Sequence, residues 1–144
     1  KQATAFGATH VLAARASGLA ASLRELSGGR GFDATVDTTG LPEVIQTAYA
    51  ATGDTGRTVL AGVPHYEARI TIDSFALHFG RRIFGSHGGE TKVDVDIPRY
   101  LDLYRRGQLK LRELITHRYP LDEVNEAVAC IQRGEGARCL LAMA

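Results

Sequence analysis

The strongest constraint on this chain is an alternation. Short apolar runs rich in β-branched residues are separated by segments with helical periodicity, and three of the runs stop abruptly in small or polar residues. The runs are Phe32–Thr38 (FDATVDT), Arg57–Ala61 (RTVLA) and Arg82–Ser86 (RIFGS). Between the first two lies Glu43–Thr52, a helix with Val44, Ile45 and Ala48 turned inward and Pro42 at its start, where proline is tolerated. Apolar strands that alternate with amphipathic helices specify an α/β fold: a parallel sheet covered on both faces.

The same reading extends along the chain. Lys1–Phe6 is the end of a helix stopped by Gly7, and Thr9–Leu12 is a short strand. Ser17–Leu26 is a helix with Leu19, Leu23 and Leu26 on one face, followed by the Ser27–Gly31 loop. Gly53–Gly56 is a turn, and Ala68–Ile72 (ARITI) is a brief strand. Asp73 caps a short helix over Ser74–Phe79. A further helix opens at Thr91 or Asp96 and runs to Arg106, with Ile97, Leu101 and Tyr104 in register and Pro98 in its first turn. Leu111–His117 has no clear period. Asp122–Arg133 is the clearest helix, with Val124, Ala127, Val128 and Ile131 as its stripe, and Arg138–Met143 closes as a strand.

The 144 residues are expected to make one domain, not two. A formal net charge of +1 provides no bulk field for nucleic acid or anionic lipid, and no apolar run approaches the ~20 residues of a membrane span. Two cysteines are too few for a disulfide framework, which points to a reducing, cytoplasmic setting. The chain opens on Lys1 and its only methionine is Met143, so we expect a piece of a longer protein.

In open α/β sheets, ligands bind beyond the carboxyl ends of the strands. Here those ends are Asp37-Thr38-Thr39-Gly40, Ala61-Gly62-Val63-Pro64 and Gly85-Ser86-His87-Gly88-Gly89. Glycine there lets a flat ligand approach the backbone. The Ser27–Gly31 loop lacks the spacing of a phosphate loop and follows a helix instead of preceding one. His10, His65, His78, His87 and His117 show no paired metal spacing, and His78 reads as a packed histidine. Cys130 falls on the solvent edge of the last helical stripe or just inside it, Cys139 lies in a strand, and neither has a partner at ligand spacing. The expectation is that this chain alone provides no metal ligands and no catalytic residue.

The segments Phe6–Thr9 (FGAT), Gly31–Asp33 with Asp37–Gly40, Val59–Pro64 (VLAGVP), Leu114–His117 (LITH) and Asn125–Ala127 with Arg133–Glu135 and Arg138 together resemble the C-terminal part of zinc-containing, medium-chain alcohol dehydrogenases. The resemblance implies a Rossmann-type parallel sheet whose first strands and GxGxxG turn are missing, followed by a C-terminal return segment, over 1–144. It implies a nicotinamide cofactor, NAD or NADP with NAD favoured. Thr38, Thr39 and Leu41 would line the ribose side. Ala61, Gly62 and Val63 would hold the nicotinamide end. Ser86, His87 and Gly88 would offer backbone groups to the carboxamide, and Arg138 would meet the pyrophosphate. Many relatives carry an apolar residue in place of His87. Zinc would be held in the parent through ligands that precede Lys1, and the substrate would be a small alcohol or aldehyde. This piece would be inactive alone and would associate as a homodimer or higher homo-oligomer through Arg82–Ser86. A zinc-free quinone or enone reductase of the same superfamily, or a non-catalytic nucleotide-binding α/β module, fits the same residues.

Overall fold

The computed structural model describes residues 2–13 and 18–143. They form two compact units, Lys1–Thr91 and Lys92–Ala144.

In the first unit, a four-residue helix α1 (Gln2–Ala5) precedes α2 (Leu19–Leu26), β1 (Phe32–Asp37), α3 (Pro42–Ala51), β2 (Thr52–Leu60) and β3 (Arg82–Gly85). The strands form a parallel sheet in the order β1-β2-β3. Pro42 opens α3, and Ile45 and Tyr49 are its fully buried residues. The Tyr49 hydroxyl donates to the Asp73 carbonyl at 2.7 Å, and the Arg81 guanidinium lies over its ring, 5.2 Å from the centroid. Between α3 and the sheet, the hydroxyls of Thr35, Thr52 and Thr58 lie 2.8–3.2 Å from one another, and Thr52 donates to the Ala48 carbonyl. Thr52 and Thr58 are buried, so this closed set of hydroxyls satisfies groups that would otherwise be costly to desolvate.

Several expected elements differ. Thr9–Leu12 is not a strand, and Val11 is 55% exposed, because a strand needs a neighbour and none of the described residues pairs with it. Ala68–Ile72 is irregular for the same reason; the Thr71 amide donates to the Gln46 side chain instead of a ladder. Ser17 lies outside the described residues, and α2 begins at Leu19. The Gly53–Gly56 segment is part of β2, yet it keeps a turn's effect. Phe32 faces Thr52 while Ala34 faces Arg57, so the intervening residues of β2 bulge from the ladder. The expected helix over Ser74–Phe79 is a single 3-10 turn at Phe75–Phe79, entered with the Asp73 carboxylate accepting from the Phe75 amide. His78 within it is exposed, not packed.

The second unit contains α4 (Val93–Arg105), β4 (Ile115–Pro120), α5 (Val124–Gln132) and β5 (Arg138–Ala142), with β4 and β5 parallel. The strands therefore fall into two sheets, of three and two strands. Helix α4 starts at Val93, with the Asp96 carboxylate accepting from the Lys92 amide. Pro98 is consequently inside the helix and not in its first turn. Strand β4 lies where the sequence shows no period, because its extended form depends on pairing with β5. Helix α5 buries Ala127 and Cys130, whereas Val128 and Ile131 are about half exposed. Its contact face is thus rotated from the expected stripe. Two small residues let the helix approach β4 and β5 closely, and the bulkier side chains stay outside.

Candidate functional site

The carboxyl ends of β1, β2 and β3 lie side by side and are tied together by backbone hydrogen bonds. The Asp37 carbonyl accepts from the amides of Ala61 (2.8 Å) and Gly62 (2.9 Å), and the Leu60 carbonyl accepts from Ser86 (2.9 Å). This ladder continues past the ends of the strands and sets the level at which each following loop departs.

Asp37 organises the first loop. Its carboxylate accepts from the Thr39 amide (3.0 Å), the Thr39 hydroxyl (2.6 Å) and the Gly40 amide (2.9 Å), while the Thr39 hydroxyl accepts from the Leu41 amide. Burial by itself pushes the Asp37 carboxyl up, but these hydrogen bonds outweigh it and hold the group below its ordinary value. The loop is thereby locked over the start of α3.

Two glycines let this loop meet the next one. A Cβ on Gly40, whose φ is +71°, would lie 2.5 Å from the Val63 carbonyl oxygen. A Cβ on Gly62 would meet the backbone of Thr38, Thr39 and Gly40. The third loop is held by the Ser86 hydroxyl, which accepts from the Gly89 amide at 3.2 Å.

The structure therefore brings Thr38, Thr39, Leu41, Ala61, Gly62, Val63 and Ser86 to one end of one sheet, with His87 and Gly88 directly following. Thr38, Thr39, Ala61, His87 and Gly88 are exposed, and Val63 is 89% exposed. These are properties of a surface that a flat ligand can cover. Because His87 follows the strand end and is exposed, its side chain can face solvent without disturbing the packing. Arg138 belongs to the second unit, where it is exposed at the start of β5 opposite Ile115. Two clefts, of about 930 and 600 Å³, open at the opposite, amino end of the first sheet, around the Ser27–Gly31 loop, Asp54 and, in the larger, Arg81.

A family model described as a zinc-binding dehydrogenase matches residues 1–106. The chain belongs to that family. Alcohol dehydrogenase-like 5 of Arabidopsis thaliana is 34% identical over 122 residues, 84% of this chain and 31% of the relative. Benzyl alcohol dehydrogenase from Acinetobacter calcoaceticus superimposes with a TM-score of 0.90 at 26% identity, over 99% of this chain and 39% of that one. An alcohol dehydrogenase zinc-binding domain protein from Burkholderia ambifaria does so with 0.88 at 28% identity, over 99% and 38%. The dehydrogenase relatives extend well beyond the match, and this chain spans about a third of the length of the curated relative.

Sequence reasoning passed over two features. Asp37 was visible only as the end of a strand, and nothing in its residue type announces three accepted hydrogen bonds. In the second unit, His117, Cys130 and Cys139 come together from β4, α5 and β5, with their potential ligand atoms all within 4.8 Å of one another. Burial pushes the Cys139 thiol up, and its hydrogen bond with Cys130 adds to the effect. Tyr119 is pushed up to about 12, chiefly by its hydrogen bond to Cys130.

Proposed function

We propose that this chain forms the nicotinamide-end wall of the NAD(P) site of a zinc-dependent alcohol dehydrogenase, with NAD the favoured cofactor. The observation that carries the reading is the approach of Gly62 to the loop after β1. It leaves the ends of three parallel strands level, glycine-lined and presenting backbone groups.

In this reading Thr38, Thr39 and Leu41 line the ribose side. Ala61, Gly62 and Val63 support the nicotinamide, and the backbone of Ser86, His87 and Gly88 meets the carboxamide. Arg138 offers a charge-assisted contact to the pyrophosphate. The bound nicotinamide would supply the hydride chemistry, exchanging hydride with the carbon of a small alcohol or aldehyde. The residues of this chain bind and orient. Asp37 keeps the first loop rigid, which limits the ordering cost when the cofactor arrives. No residue here is assigned to proton transfer or to the family's zinc. Cys130 and Cys139 are free thiols, which supports a reducing, cytoplasmic setting.

The test is an amide NMR titration of the chain with NADH, NADPH and reduced nicotinamide mononucleotide. Shifts centred on residues 38–41, 61–63 and 86–88, larger with NADH than with NADPH, are expected. Shifts confined to other regions, or none at millimolar ligand, would overturn the assignment. The chain alone is expected to reduce no NAD with benzyl alcohol as substrate.

A further inference from the structure

The packing of α5 on β4 and β5 creates a group of side chains that the cofactor reading does not use. His117 lies on β4, Cys130 on α5 and Cys139 on β5. Cys130 is 2% exposed, and His117 and Cys139 are half-buried. The three possible ligand atoms lie within 4.8 Å of one another. Both cysteines are free thiols.

A second observation concerns the backbone beside the group. The loop between α5 and β5 places Gly136 against it. A Cβ built on Gly136 would lie 2.8 Å from Cys139 Sγ, 3.1 Å from Cys130 Sγ and 3.3 Å from His117 Nδ1. The two sulfurs and the imidazole nitrogen therefore all pack against the Gly136 backbone, and glycine is the residue that adds no carbon among them. Any side chain at this position would crowd the three donors.

We propose that His117, Cys130 and Cys139 form a zinc site, with Gly136 providing the room and the fourth position open to water. Two thiolates and an imidazole are a donor set suited to this borderline-soft ion, which favours four-coordinate geometry. Bond lengths of ~2.3 Å to sulfur and ~2.0–2.1 Å to nitrogen put tetrahedral donors roughly 3.5–3.8 Å apart. The present separations thus need to close by about an ångström, a distance that side-chain torsions can supply. Binding converts both thiols to thiolates, so each zinc ion taken up releases two protons to solvent. All three donors lie outside residues 1–106, the stretch matched by the family model, and none is among the residues assigned to the cofactor.

Anaerobic titration of the reduced chain with Co²⁺ tests the proposal. The expected result is saturation at one ion per chain, with a thiolate-to-cobalt charge-transfer band and the intense visible bands of a four-coordinate ion. Both should be lost on adding Zn²⁺. Zn²⁺ should also slow the modification of both cysteines by a thiol reagent. Cys139→Ser and His117→Gln should lose the four-coordinate spectrum. Gly136→Ala, which keeps every donor, should lose it too, with circular dichroism checking that the variants fold. If a variant fails to fold, the wild-type spectrum and thiol protection still decide. Weak six-coordinate bands, no thiol protection, or an unchanged spectrum in folded His117→Gln would overturn the site. So would the absence of a cobalt band in the wild-type chain with both thiols confirmed reduced.

Discussion

Gly62 sits so close to Thr39 that a Cβ carbon on it would lie 2.5 Å from the Thr39 amide nitrogen. The atoms in the way are backbone, held from below by Asp37, so they cannot rotate aside as a side chain would. Gly62→Ala should therefore lower stability by about 1–3 kcal/mol through overpacking, read as a lower urea midpoint. It should also abolish the NADH-induced shifts at residues 38–41. A variant as stable as the parent would mean that the two loops are free to separate.

Asp37 gives a pH prediction with a definite sign. Its folded-state carboxyl titrates below the unfolded value of about 3.8. The charged form is the one the fold favours, so its contribution is complete above the unfolded value. That contribution is lost as pH falls through the folded value. Asp37→Asn cannot reproduce the three accepted bonds and should cost about 1–3 kcal/mol at neutral pH. The difference between parent and variant should shrink in acid. Denaturant melts at pH 7 and pH 3 provide the comparison, and an equal difference at both would remove Asp37 as the source.

Both outer strands of the three-stranded sheet lack a neighbour on one side among the described residues. Strand β3 carries Phe84, 46% exposed, beside Ile83, and β1 carries Val36, 60% exposed. Open edges with large apolar residues recruit further strands, so the chain should self-associate. Light scattering over a dilution series should show a dimer, with larger species if the β1 edge also pairs. Phe84→Lys should shift the distribution towards monomer. A monomeric parent at micromolar concentration would contradict both interfaces.

Arg138 supplies a separate check on the cofactor reading. It is exposed and makes none of the ion pairs seen among the described residues. Arg138→Ala should raise the NADH dissociation constant about tenfold or more, as expected for losing a charge-assisted contact. An NMR titration identical to the parent's would withdraw its role.

Elements whose signals are local can be read from the residues alone. The β-branched run of β1, the proline-led helix α3 and the regular spacing around α5 are legible because each depends on residues within a turn or two. The small residues after β1, β2 and β3 likewise marked one end of the sheet before any packing was known. Whatever needed a distant partner was set by packing. Thr9–Leu12 and Ala68–Ile72 have strand-like composition but no ladder to join, whereas Ile115–Pro120 lacks a clear pattern and becomes β4 because β5 lies beside it. The face of α5 was settled by which residues were small enough to meet those two strands, which turned Cys130 inward. That same packing gathers His117, Cys130 and Cys139, which are far apart in the chain. Spacing rules work within one element, and this cluster draws one donor from each of three.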